Sequence, residues 1–78
     1  MREFEIQLHS VQDVQAFVAL ATSRVFPVMV GNATHQVNGK SFMEMFSLNF
    51  RLPLKASVEC SEEEFRQLLL DADRFLVK

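Results

Sequence analysis

Three times in this chain a serine stands three residues ahead of an acidic residue, just before an apolar period opens: Ser10–Asp13, Ser41–Glu44 and Ser61–Glu64. A serine oxygen can accept the N–H of the third helical residue, and an acidic side chain there can reach back, so each pair marks a helix start. Extended-looking sequence runs into every one of these caps. A chain of 78 residues punctuated in this way must alternate short strands with helices of modest length.

The hydrophobic periods agree with the caps. Glu3 to Leu8 alternates, with Phe4, Ile6 and Leu8 on one face, as a half-buried strand does. After Ser10, the residues Val11, Val14, Phe17, Val18 and Ala21 form one helical stripe, which Pro27 closes. Residues 27–38 read as a hairpin, with Asn32-Ala33-Thr34 as its turn and His35-Gln36-Val37 as a short return strand. Asn38-Gly39 ends that strand and feeds the Ser41 cap. The helix after Ser41 is short, bounded by Asn49 and Pro53, and carries more apolar residues (Phe42, Met43, Met45, Phe46) than one buried stripe uses. Leu54 to Cys60 alternates again. Behind Ser61, the residues Phe65, Leu68, Leu69, Ala72, Phe75 and Leu76 make a long stripe, led by Glu62-Glu63-Glu64 where the helix dipole favours acid.

The order is β-α-β-β-α-β-α, with no repeat, linker or low-complexity tract, and is expected to form one domain over 1–78. Strands with a single apolar face and helices with a single stripe fit a two-layer α+β open-faced sandwich. Three helices would cover one face of a four-stranded, mostly antiparallel sheet. A ferredoxin-like double split βαβ shares this order up to its last strand, but needs a longer second helix.

Composition narrows the function classes. The net charge is −2 and the eight Lys and Arg are scattered, so no basic stripe exists to meet nucleic acid. The N-terminus enters strand alternation at once, without a signal-peptide core, and no apolar run approaches the roughly 20 residues of a bilayer span. With Cys60 as the single cysteine, a reducing cytoplasm is the expected compartment, and Cys60 itself reads as an inert buried thiol. His9 and His35 have no ligand partners at metal spacing, so neither metal nor cofactor is expected. Asn38-Gly39-Lys40-Ser41 has the end of a phosphate-binding loop but lacks its first glycine and parallel strand. The candidate site left by elimination is the His9–Ser10 turn, where a helix N-terminus offers unpaired N–H groups to an anion.

Over essentially its whole length the element order is similar to that of HPr, the histidine-containing phosphocarrier protein of the bacterial sugar phosphotransferase system. The densest match is Lys40-Ser41-Phe42-Met43-Glu44-Met45-Phe46-Ser47-Leu48, which resembles the family's Lys-Ser-Ile-Met-x-x-Met-Ser-Leu segment. Ala16-Phe17-Val18 and the passage from Leu54 to Ser61 support it.

The resemblance implies a carrier rather than an enzyme: a histidine at the first helix N-terminus, in a His-x-Arg-Pro pattern, takes a phosphoryl group while the arginine offsets its charge. Aligned through Phe17, the histidine position holds Ser10, the arginine position Gln12 and the proline position Asp13. His9 lies one residue early, and sliding it into place puts Val11 where the arginine belongs. No guanidinium is therefore expected beside the histidine, and Asp13 adds a negative charge. The resemblance also places Ser41 where some family members are phosphorylated by a dedicated kinase before binding a transcriptional repressor.

Two readings follow. One is a degenerate carrier acting in regulation, through Ser41 and a partner-binding face of Lys40, Phe42, Met43, Met45 and Phe46. The other is an active phosphocarrier using His9. The implied partners are phosphotransferase-system enzymes, an HPr kinase or a transcriptional regulator, met as a monomer or weak dimer. The Met-rich helix can equally be a core helix, and Ser41 an unmodified cap.

Overall fold

The computed structural model describes residues 2–32 and 34–77; the expected turn residue Ala33 lies outside them. The chain forms β1 (Arg2–Ile6), α1 (Val11–Thr22), β2 (Val28–Gly31), β3 (Gln36–Asn38), α2 (Phe42–Phe46), β4 (Leu54–Val58) and α3 (Glu62–Asp71). A 3₁₀ turn over Asp73–Phe75 follows. The strands make one sheet in the order β1-β4-β2-β3, with antiparallel pairing throughout. This is the expected α+β open-faced sandwich.

Register explains the layers. Phe4, Ala56, Val30 and Val37 share one rung across all four strands, and their side chains face the helices. The next rung, Glu5–Lys55–Gly31–Gln36, faces the other way. Period-two alternation thus becomes a dry face and a wet face. Gly31 has no room for a side chain, because a Cβ would collide with the His35 carbonyl oxygen and with Gln36 across the hairpin. The turn itself is held by Asn32, whose Oδ1 accepts the Thr34 and His35 N–H groups at 3.0 Å each.

Between sheet and helices lie Ile6, Leu8, Val14, Phe17, Leu54, Leu68 and Phe75, all buried. Phe17 and Phe75 meet edge to face with centroids 5.7 Å apart. Side chains of this size each contribute about 1.5–3 kcal/mol on burial.

Three sequence expectations change. Val11 is exposed, although it was counted in the first helical stripe. At about 100° per residue, Val14, Phe17 and Ala21 cluster within an arc of roughly 60°, and Val11 falls about 90° from its centre. The last helix stops at Asp71 rather than running through Leu76. There the β1 edge competes for the backbone: Gln7 donates its N–H to the Phe75 carbonyl at 2.7 Å, Val77 donates to Glu5 at 3.2 Å, and Leu76 bridges Ile6. That pairing draws residues 75–77 out of the helix and covers the lower part of the sheet edge. Finally, Cys60 is half-buried beyond the end of β4 rather than fully buried.

Candidate functional site

At the β1–α1 junction, Ser10 is extended (φ −154°, ψ 169°), and its Oγ accepts the Asp13 N–H at 3.2 Å. The expected cap is present. The return half of the box is displaced by one residue: Asp13 Oδ2 accepts the N–H of His9, at 3.0 Å, not that of Ser10. The other carboxylate oxygen, Oδ1, accepts from the Arg74 guanidinium at 2.9 Å. Arg74 also lies over the Phe75 ring, 4.9 Å from its centroid.

A guanidinium that the sequence pattern does not announce therefore reaches the Asp13 carboxylate, whose other oxygen holds the His9 N–H. The guanidinium comes from the 3₁₀ turn after α3. His9 is exposed and Ser10 half-buried. The turn is braced from the other side by Gln7, whose side-chain amide donates to the Arg51 carbonyl.

The second candidate site is the start of α2. Ser41 caps it, accepting the Glu44 N–H at 3.4 Å. Glu44 does not return the bond to Ser41; its Oε1 accepts the Asn38 N–H, also at 3.4 Å. Asn38 organises the approach, accepting from the Lys40 N–H at its side chain (2.9 Å) and from the Ser41 N–H at its carbonyl (3.0 Å). Lys40 is half-buried, and its Nζ donates to the Arg24 carbonyl at 2.7 Å, which ties this cap to the α1–β2 loop. At the start of α3, by contrast, Ser61 and Glu64 close the full reciprocal box.

The four apolar residues of α2 divide. Met45 is completely buried, so its expected place on a partner-binding face is corrected: it points into the core. Met43, two residues earlier and on the opposite side of a 3.6-residue turn, is 82% exposed. Phe46 is partly exposed and Phe42 half-buried. Phe42, Phe46 and Phe50 form a ladder of edge-to-face rings, with centroids 4.4 and 6.2 Å apart. Leu52, in the loop that follows, is also exposed. The Met-rich helix is thus core on one side and apolar surface on the other.

Elsewhere chemistry is sparse. Burial, and then the Glu64 carboxylate, push the Cys60 thiol above its ordinary value, against the pull of Arg2; it is a thiol at neutral pH. Among the described residues, no three His, Cys, Asp or Glu side chains gather as a metal site would need. A cleft of about 470 Å³ lies on the wet face of the sheet, bordered by Glu3, Glu5, Gly31, Gln36 and Lys55, and touches neither candidate site. No helix among the described residues is long and apolar enough to cross a membrane.

No family model matches this chain, and no curated protein matches it. Among solved structures it is similar to the crystal structure of HPr-C-His from Thermoanaerobacter tengcongensis, with a TM-score of 0.74 and 28% identity. That alignment covers 92% of this chain and 90% of the other. Element order, antiparallel strand order and this likeness agree: the chain has the HPr-like open-faced sandwich fold.

Proposed function

We propose that this protein is an HPr-like regulatory and protein-binding module that meets its partners through the outer side of α2 and is modified at Ser41. The observation that carries this reading is the surface of α2, where Met43 stands 82% exposed beside the Phe42–Phe46–Phe50 ladder, on a helix whose cap is Ser41. An exposed apolar ridge on a short, capped helix suits docking to a protein groove. Phosphate on Ser41 would sit at the positive end of α2, where its oxygens can take over the Glu44 N–H, so modification need not unfold the helix. Partners of this kind are phosphotransferase-system enzymes, an HPr kinase or a transcriptional regulator. The test is incubation with HPr kinase and ATP, read by intact mass. One phosphate on the wild type and none on Ser41→Ala is expected; an unmodified wild type removes the Ser41 part.

A second reading is favoured by one specific contact, the Arg74 guanidinium at the start of α1. In it the protein is an active phosphocarrier, and His9 receives a phosphoryl group from the first enzyme of the system. Phosphoenolpyruvate plus that enzyme then yields an acid-labile phosphate that His9→Ala abolishes. A clean unmodified mass, under conditions that label HPr, sinks this reading.

A further inference from the structure

We infer that Asp13 is a resident anion that holds the His9 turn against phosphoryl transfer, with Arg74 as the cation it sequesters. This rests on the second reading, that His9 can carry a phosphoryl group, and concerns the regulation of that group. Both oxygens of the Asp13 carboxylate are engaged, one by the His9 N–H at 3.0 Å and the other by Arg74 at 2.9 Å. Those are two kinds of donor, a backbone N–H in the turn before the helix and a guanidinium, that a phosphoryl group on His9 would draw on. A phosphoryl group brings a charge of about −1.5 to −2, and here it would arrive beside a carboxylate that already holds its counter-charges.

The pair is asymmetric. The Asp13 side chain is 16% exposed and that of Arg74 63% exposed. Asp13 is anchored from its own backbone as well, since its N–H is bound to Ser10 Oγ. Arg74 is therefore the movable member and Asp13 the fixed one. The contact inhibits until Arg74 leaves the carboxylate for a stronger anion.

Potassium phosphoramidate, a small-molecule phosphoryl donor, tests this without any partner protein. An imidazole nitrogen attacks phosphorus and an N–P bond forms while the donor's P–N bond breaks. Ammonia leaves, and the proton on the other ring nitrogen passes to solvent. His35, exposed in the β2–β3 turn, is labelled by the same reagent and serves as the internal reference.

The readout is the ratio of phosphate on His9 to phosphate on His35, by peptide mass spectrometry, in folded wild type, Asp13→Asn, Asp13→Asn/Arg74→Gln and Ser10→Ala. Removing one negative charge at this range is expected to raise the ratio about tenfold in Asp13→Asn, and the added Arg74→Gln to lower it again. Ser10→Ala loosens the same helix start but keeps the carboxylate, so it should stay near wild type. An equal rise in Ser10→Ala overturns the inference, because fraying would then be the cause. A ratio unchanged by Asp13→Asn, with His9 labelled in both proteins, overturns it while the carrier reading stands. His9 unlabelled in every variant while His35 is labelled removes both.

Discussion

Arg74 and Asp13 are 61 residues apart in the chain and 2.9 Å apart in the fold, and the carboxylate that pairs with Arg74 also receives the His9 N–H. One side chain thus joins the 3₁₀ turn after α3, the first helix and the turn that carries the candidate histidine. Whatever His9 does, it does beside an acid that already has its partners.

The pair itself should contribute little to stability. Arg74 is largely in solvent, and exposed ion pairs contribute about 0.2–1 kcal/mol. A double-mutant cycle with Asp13→Asn and Arg74→Gln, followed by urea unfolding, is expected to give a coupling of about 0.5 kcal/mol. In 1 M salt, where the screening length falls to about 3 Å, the coupling should shrink towards zero.

Met45 and Met43 should separate stability from recognition. Met45→Ala empties a fully buried site and is expected to cost about 2–5 kcal/mol. Met43→Ala removes an exposed side chain and should stay within about 0.5 kcal/mol. Urea unfolding checks the first comparison. In the proposed role, Met43→Ala and not a mild core change weakens partner binding, which titration calorimetry can read.

Acid should weaken the contact between the α1–β2 loop and α3. The Arg24 guanidinium, hydrogen-bonded to Asp71, holds that carboxyl below its usual value, with burial opposing and Gln67 adding a smaller pull. A carboxylate whose value is depressed by folding stabilises above the unfolded value, about 3.8–3.9, and loses that contribution as pH falls through the folded one. Melting temperatures of wild type and Asp71→Asn should therefore differ by a constant amount at neutral pH and converge below about pH 4. A difference that persists unchanged at pH 2 would contradict this.

The caps should rank by their geometry. Ser61 and Glu64 exchange both bonds, at 3.1 and 3.0 Å, so Ser61→Ala is expected to cost about 1 kcal/mol. Ser41 makes a single 3.4 Å bond at the head of a five-residue helix, and Ser41→Ala should cost less. Chemical denaturation of the two variants side by side gives the order.

Much of this molecule was legible in the chain, and for a definite reason. Alternation in 3–8 and 54–60, the helical stripe behind Ser61 and the three serine caps are interactions between near neighbours, so residue spacing states them directly. They determined the element order, the dry and wet faces of the sheet and the sandwich architecture. The short α2 also follows from local signals, Ser41 at one end and Asn49 with Pro53 after the other.

Contacts across the fold decided the rest. Whether Met43 or Met45 faces the core depends on the angle at which a one-turn helix docks, because a five-residue helix has too few turns to define a stripe. The end of α3 depends on the edge of β1, whose free backbone groups take residues 75–77 into pairing. The cation on Asp13 depends on both, since Arg74 sits in the turn that this pairing shapes. Sequence spacing measures neighbours along the chain; it carries no distance between residues 13 and 74, and only the closed tertiary structure set that distance.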